Sequence, residues 1–449
     1  MGVAVLAKGP VGMVLPTAVI GMYLLIVRLH PVTRWRLETA SAFDSVALLS
    51  DDPQRNRTKV PGWLVRCARP FGPVHFVRTC WSMRPITAMV VVLVVALPWY
   101  VLVGWHTEGA WPRGFFLEHN LGRATAAMEG HRGGIWFYPL ALLVGFFPWS
   151  VFAVPVVLEL VARLRVRGRW WRGYALLTCW VAVYVGLFTI AQTKLPSYVT
   201  PCYPALALLT ACFFEHWRRG NLQAAAFWPQ CAFLSLGLVG VMMVTALPFA
   251  AQRFLPGEEW LGGVGVIPVV GAAVALWLTR LSQIRAAQYA MGLTAVFTTT
   301  AFFAWAAVRV DLRRQEPALL AAVARQQPDS RIGAYGALEP SWIFYMRRPV
   351  VQLTNGQASS WTDSPRRHDW DPRPPEPIAR FFEGGDGYVI TTRAHLPELK
   401  TLPPDIGVLY RLPYFLKNSE LVVLGRRAAA RNTPRIASPR LFRSSGVGH

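Results

Sequence analysis

Apolar residues in this chain come in long unbroken runs, unlike the short alternations of a soluble fold. Eight stretches without charge approach or exceed the length a helix needs to cross a bilayer: 9–27, 86–104, 135–158, 173–191, 198–214, 227–250, 261–279 and 286–308. The fifth is the shortest, and it starts close behind the fourth. Several contain proline, including Pro98, Pro139, Pro148, Pro155, Pro201, Pro204, Pro248 and Pro268. Membrane helices tolerate proline because neighbouring helices and side chains re-satisfy the freed carbonyls. The pattern predicts a multispanning α-helical membrane protein of about eight helices over 1–308.

Beyond Arg309 the apolar runs shrink to strand length: Arg331-Ile332-Gly333-Ala334-Tyr335, Val350-Val351-Gln352-Leu353, Gly387-Tyr388-Val389-Ile390-Thr391 and Leu421-Val422-Val423-Leu424. Helical patterns lie between them at 317–325 and 339–346, so 309–424 reads as a small α/β domain. The Pro-, Asp- and Arg-rich stretch 362–377 reads as a surface loop. After Gly425 come Arg426, Arg427, Arg431, Arg435, Arg440 and Arg443 with no acid among them, and 425–449 is expected to be a disordered basic tail. Among the loops, 28–84 is long. Its part 35–49 fits an amphipathic surface helix, and 51–57 fits a solvated turn.

At the front, apolar residues begin at Met1, and Lys8-Gly9-Pro10 follows with no basic leader and no small-residue cleavage site. No secretory signal peptide is expected from this stretch, and the start resembles a chain opened in the middle.

Charge fixes an expected orientation. Of the basic residues in the loops between spans, nineteen lie on one side, ten of them in 28–84, against six on the other: Lys8, Arg113, Arg123, Arg132, Lys194 and Arg253. The richer side is expected to be cytoplasmic, which puts the α/β domain outside the cell's inner membrane. The net charge of +22 belongs to these loops, so it argues for topology and against a nucleic-acid partner. The six cysteines lie mostly in or beside apolar runs with no CxxC spacing, so neither a disulfide framework nor a zinc ribbon is expected.

The candidate chemistry lies on the poorer side. Glu118-His119-Asn120-Leu121-Gly122-Arg123 and Lys194-Leu195-Pro196-Ser197-Tyr198 sit at the ends of apolar runs, and Lys8 joins them. One boundary cation is accounted for by snorkelling to headgroups. Three on the same face, beside the hydrogen-bonding groups of His119 and Tyr198, suit a ligand with a phosphate head and a lipid tail. Trp136, Tyr138, Trp149 and the Trp105/Trp111 pair supply flat apolar surface, as an ordinary aromatic belt would also do. His119 reads equally as a structural histidine or as a catalytic or metal-binding one.

These stretches, with Lys8-Gly9-Pro10-Val11-Gly12, His131, Trp136-Phe137-Tyr138, Gly145-Phe146-Phe147-Pro148-Trp149, Val199-Thr200-Pro201, and Gly336-Ala337-Leu338-Glu339-Pro340-Ser341 with Phe344-Tyr345, stand in an order that resembles a known family. They are similar to the lipid-phosphosugar-dependent glycosyltransferases. These include the aminoarabinose transferases acting on lipid A and the dolichyl-phosphate-mannose protein mannosyltransferase group. The resemblance runs from Lys8 to about Leu424. It implies a GT-C fold with an extracytoplasmic α/β domain, moving sugar from a polyprenyl-phosphate donor to a glycolipid or protein acceptor on the outer face of the inner membrane. It further implies that Arg123 binds the lipid phosphate, that Lys194 and Tyr198 line the donor cavity, that His119 lies near the phosphate or a divalent metal, and that Lys8 belongs to a donor motif. No cofactor beyond such a metal is implied.

The resemblance also places the catalytic carboxylate in a first outer loop upstream of Lys8-Gly9-Pro10. Glu108, Glu118, Glu129, Glu258 and Glu259 do not match that position, so the catalytic residue is unassigned and residues 1–449 alone are expected to be inactive. The rival readings are a lipid or polysaccharide transport module and an envelope polymer ligase. A transporter more often shows internal repeats with charges at mid-membrane, and neither is found here.

Overall fold

The structure is a computed structural model. It describes residues 1–28, 69–122, 133–326, 330–355, 375–383, 385–399, 402–414 and 419–427. The expected surface helix at 35–49 and turn at 51–57 lie outside these residues, as do Cys67, Arg123, Glu129, His131 and nearly all of the expected basic tail.

The uncharged runs form helices. Among the described residues, seven are long and apolar enough to cross a membrane: α2 (Val11–Arg28), α4 (Pro85–His106), α7 (Trp171–Ile190), Pro196–Arg218, α9 (Trp228–Phe254), Glu259–Arg280 and Ile284–Leu312. Pro196–Arg218 begins with a 3-10 stretch and continues as α8 (Tyr203–Arg218). Glu259–Arg280 does the same into α10 (Val266–Arg280), and Ile284–Leu312 comprises α11 (Ile284–Thr300), a π-helical stretch and α12 (Ala307–Leu312).

The stretch expected to cross as one helix over 135–158 does not. It forms α5 (Phe137–Gly145) and, after a turn, Trp149–Val166 containing α6 (Ala153–Val166), with a bend of 120° between them. Pro148 supplies the physical reason. It has no N–H to continue the ladder and disfavours helical backbone in the residue before it. Shorter helices in this region include α1 (Gly2–Lys8) and α3 (Pro73–Ser82).

The helical unit comprises 1–241 and 266–296. Its core is aromatic, with Phe152, Phe213 and Phe233 buried beside Leu236 and Met291. Among lipid-facing helices apolar burial gains little over contact with acyl chains, so close packing holds them together. Gly271 shows this: a Cβ there would fall 2.0 Å from Thr294 Oγ1, so α10 and α11 approach through the space a side chain would fill. A buried carboxylate fixes one end of the unit. Glu159 accepts hydrogen bonds from Arg163 Nε at 2.8 Å, Gln223 N at 2.7 Å and Ala224 N at 3.0 Å, and lies 3.1 Å from His216 Nδ1. It holds the loop between α8 and α9 onto α6. The five cysteines described are free thiols.

The second unit comprises 242–265 and 297–449. In it, α13 (Glu316–Gln326) leads into β1 (Arg331–Ala334), α14 (Pro340–Met346), β2 (Val350–Thr354), β3 (Glu376–Pro377), α15 (Ile378–Glu383), β4 (Gly387–Thr392), β5 (Ile406–Pro413) and β6 (Glu420–Arg426). The sheet order is β3-β2-β1-β4-β6-β5. β1 pairs in parallel with both β2 and β4, and β6 runs antiparallel between β4 and β5. Both faces are covered. Leu319, Leu320, Trp342 and Met346 pack on one, and Ile378, Phe381 and Phe382 on the other. A sheet buried on both sides explains why β4 is buried along its whole length and reads as a continuous apolar run.

Three elements differ from the sequence expectation here. β5 and α15 are additional, and the end of the expected 362–377 loop forms β3. The expected start of the tail at 425 falls inside β6. The buried Glu258 is committed to Arg313, whose Nε and Nη2 donate to its Oε1 at 2.8 and 2.6 Å.

Candidate functional site

The site is built around the amino end of α2. There α1 and α2 form a tight hairpin whose turn is Gly9-Pro10. Gly9 has φ 65° and ψ −149°, a conformation open essentially to glycine alone. At Gly12 a Cβ would lie 2.3 Å from the carbonyl oxygen of Ala4, so the two helices meet backbone to backbone. Gly2 lets α1 close on the Val95 side chain of α4, which a Cβ would meet at 2.7 Å. Tyr100 Oη on α4 donates to the carbonyl of Val5 at 2.8 Å. The glycines of Lys8-Gly9-Pro10-Val11-Gly12 are therefore spent on the hairpin, which leaves Lys8 exposed as the last residue of α1.

The hairpin turn rests on the second stretch. Residues Gly114–Gly122 form a π-helix, a widened turn that often marks functional positions. A Cβ on Gly9 would lie 2.9 Å from Phe115 and 3.0 Å from Asn120 Nδ2. Asn120 Nδ2 in turn donates to the carbonyl of Phe115 at 2.7 Å. Beside this contact stands an aromatic cluster of Trp99, Tyr100, Trp111, Phe115 and Phe116, with Trp111 stacked on Phe115 at 4.7 Å. Trp105, read with Trp111 as flat apolar surface, is 83% exposed. The backbone of His119 belongs to the π-helix, while its side chain and all of Arg123 lie outside the described residues.

The third stretch meets α2 from the other side. Val11 and Leu15 pack with Tyr138 of α5, Phe188 of α7 and Tyr198, whose ring stacks on Phe188 at 4.7 Å. Lys194 lies between α7 and the following 3-10 stretch, 5% exposed. Its Nζ donates to the carbonyls of Phe188 at 3.0 Å, Thr189 at 2.5 Å and Ala191 at 2.7 Å, and sits 5.6 Å from the centre of the Tyr138 ring. An ammonium has three donors, and here all three terminate the open carbonyls of α7. Burial pushes this amine below the ordinary lysine value. Of the remaining aromatics, Trp136 is exposed and Trp149 packs on Phe214 in the core.

The structure thus brings Lys8, Asn120, Tyr138, Lys194 and Tyr198 around one helix end and gives them different roles. Lys8 stays exposed beside the π-helix, and Lys194 is spent on the carbonyls that end α7. The sequence reading missed Tyr100 and the scaffold role of Lys194. The second had a signal, because a cation a few residues past a helix end is placed to bind its last carbonyls. Among the described residues, no group of three His, Cys, Asp or Glu is placed to hold a metal ion.

A bundle of helices long and apolar enough to cross a membrane, followed by a two-faced α/β sheet, is a fold the chain shares with a solved membrane protein. The comparison is with the crystal structure of ArnT from Cupriavidus metallidurans bound to undecaprenyl phosphate, which matches with a TM-score of 0.60 over 96% of this chain and 68% of that one, at 22% identity. In sequence the chain is 30% identical over 205 residues to the undecaprenyl phosphate-alpha-4-amino-4-deoxy-L-arabinose arabinosyl transferase of Pectobacterium carotovorum, covering 43% of this chain and 35% of the relative. It is 31% identical over 183 residues to the protein of the same name from Shewanella sediminis, covering 38% and 31%. The matches thus span about a third of the length of these curated relatives. No family model matches the chain.

Proposed function

We propose that the chain serves transfer of a sugar from a polyprenyl-phosphate donor to an envelope acceptor, a lipid A-type glycolipid or a protein, at the outer face of the inner membrane. The observation that carries this reading is the contact of the Lys8-Gly9 turn with the Asn120 helix at the amino end of α2. That helix end adds its positive dipole to the cation. Lys8 and Arg123 are the proposed phosphate ligands, with His119 beside them. Tyr198 lines the donor site, and Lys194 positions it. In the reaction the acceptor oxygen bonds to the anomeric carbon as the bond from that carbon to the phosphate oxygen breaks. The phosphate leaves with the electron pair, stabilised by the cations, and the acceptor proton passes to a base. Aminoarabinose, carried by the named relatives, is the first sugar to test.

In a full-length version that carries the first outer loop, Arg123→Ala is expected to abolish transfer of radiolabelled aminoarabinose from undecaprenyl phosphate to lipid A in membranes while leaving thermal unfolding unchanged. The loss of one bidentate phosphate clamp accounts for it. Activity equal to the parent's would make Arg123 a snorkelling residue. An unaltered protein with neither turnover nor donor binding would count against the whole reading.

Orientation has its own test, with the α/β unit proposed to face outward. Gly134 and Gly168 both have open space where a Cβ would sit, and they flank the bent pair. In a background without other cysteines, Gly134→Cys is expected to react with an impermeant maleimide added to intact spheroplasts, and Gly168→Cys only after lysis. Labelling of both from outside would mean the bent pair re-enters without crossing.

A further inference from the structure

The helix α3 has its polarity inside out. It packs on α2 with its polar side: His75 Nε2 donates to the carbonyl of Leu25 at 3.0 Å, and Thr79, one turn on, is 1% exposed. Met83, just past the helix, reaches the same neighbour, where a Cβ on Gly21 would lie 3.6 Å from its Sδ. The outer side carries Val74, Val77 and Trp81, which are 69, 63 and 68% exposed. With Arg78 they occupy positions i, i+3, i+4 and i+7, a single helix face. Water would select the opposite arrangement, so this face is made for a nonaqueous neighbour.

Its place in the fold supplies that neighbour. α3 lies against the last two turns of α2 and runs directly into α4, and both are long and apolar enough to cross a membrane. The bond to Leu25 satisfies one of the carbonyls that the end of α2 leaves open, so α3 starts level with the end of a span. Ten residues make about 15 Å of helix, half of the ~30 Å of hydrocarbon, so α3 cannot cross. Past the turn, Ile86 and Met89 at the start of α4 are exposed too.

The charge around this face is of one sign. Arg78 lies on it, Arg84 joins α3 to α4, and Arg28 ends α2, all three exposed. Residues 1–28 and 69–107 hold no Asp or Glu, and 29–68 carries six Arg or Lys against four acids. Arg84 sits at φ 52° and ψ 58°, left-handed backbone that glycine takes without penalty. An arginine held there keeps a long cationic side chain where the turn itself needs none.

We propose that α3 is an interfacial helix that docks onto anionic phospholipids of the surrounding leaflet. Arg78 and Arg84 take the phosphate head, and Val74, Val77 and Trp81 lie among the acyl chains. The proposal does not rest on the transferase reading.

The test is native mass spectrometry of the purified chain, residues 1–449, in mixed micelles with dioleoyl phosphatidylglycerol or dioleoyl phosphatidylcholine. Phosphatidylglycerol is expected to bind roughly tenfold more tightly or better. Arg78→Gln and Arg84→Gly are each expected to cut its binding about fivefold, the worth of one arginine at an anionic surface, with phosphatidylcholine unchanged. Val77→Gln is expected to weaken both lipids. Inorganic phosphate, which has no tail, is expected not to compete. Arg84→Gly is expected not to lower the thermal unfolding temperature in lipid-free detergent, and a fall would mark a structural arginine and overturn its role here. Equal binding of the two lipids by the parent, a preference kept when both arginines are replaced, or displacement by phosphate would each overturn the proposal. The first is the outcome if the arginines only snorkel or if 29–68 covers the face. Binding of undecaprenyl phosphate, measured alongside, is expected to survive both arginine changes, and its loss in them would assign these arginines to the donor instead. Failure of the parent to bind it, with the phosphatidylglycerol preference kept, would overturn the donor reading alone.

Discussion

Lys194→Met is expected to lower the thermal unfolding temperature of the protein before any ligand is added. Methionine keeps the length and apolar stem of lysine and removes its three donors. The carbonyls of Phe188, which is buried, and of Thr189 and Ala191, which are half-buried, then lose that partner. Each orphaned buried group costs about 1–3 kcal/mol, so the summed loss is on the order of 3 kcal/mol or more. Scanning fluorimetry of the detergent-purified protein reads this directly. A pure phosphate ligand would give another result: unchanged unfolding of the ligand-free protein, with the penalty appearing only as weaker binding of undecaprenyl phosphate. The measurement separates a cation that caps a helix from one that meets the substrate.

Gly12→Val is expected to be the second severe change, through overlap and not through lost contacts. Even the first carbon of the new side chain would lie 2.3 Å from the oxygen and 2.5 Å from the carbon of the Ala4 carbonyl, and backbone has nowhere to go. The α1–α2 hairpin must open, and the contact of Gly9 with Phe115 and Asn120 is expected to go with it. Overpacking of this kind typically costs about 1–3 kcal/mol when side chains can shift, and more when the obstacle is backbone. Gly186→Ala in α7 is the control. It has open space around it and is expected to leave stability unchanged or raise it by about 0.5–1 kcal/mol, the ordinary gain of alanine over glycine in a helix. Equal loss in both variants would show a general intolerance of added volume.

The spans were legible because a bilayer leaves a helix no alternative to a long uncharged run. The bend at 145–148 was not, since the residues on either side are as apolar as a straight helix would be. Gly145 and Pro148 were visible only as tolerated breaks. In the α/β unit, β1, β2, β4 and β6 could be read as apolar bursts, since they lie inside a sheet covered on both faces. β5 could not. It is an edge strand with an irregularity between Val408 and Tyr410, its sides alternate between partial burial and exposure, and it carries Arg411 and Pro413. At the candidate site the stretches read from the sequence meet around one helix end, and Lys194, read there as lining a donor cavity, caps α7. Charge can be read from a sequence, whereas the three carbonyls that occupy Lys194 depend on how α7 ends.

The 120° bend between α5 and Trp149–Val166 has a mechanical consequence. With Trp149–Val166 along the bilayer normal, α5 lies only about 30° out of the membrane plane. Its nine residues then climb roughly 7 Å, a small part of the ~30 Å of hydrocarbon. Trp136, Leu140 and Val144, four residues apart along one side of it, are 70, 57 and 78% exposed, while Tyr138 on the opposite side is buried against Phe188. Such an element floats: its waterline is set by acyl chains on one edge, and its other edge carries Tyr138 and, through it, the Lys194–Tyr198 ledge. The height of that ledge is therefore expected to follow the lipids of a single leaflet, so that a thicker or thinner bilayer would shift it relative to the helices that span both.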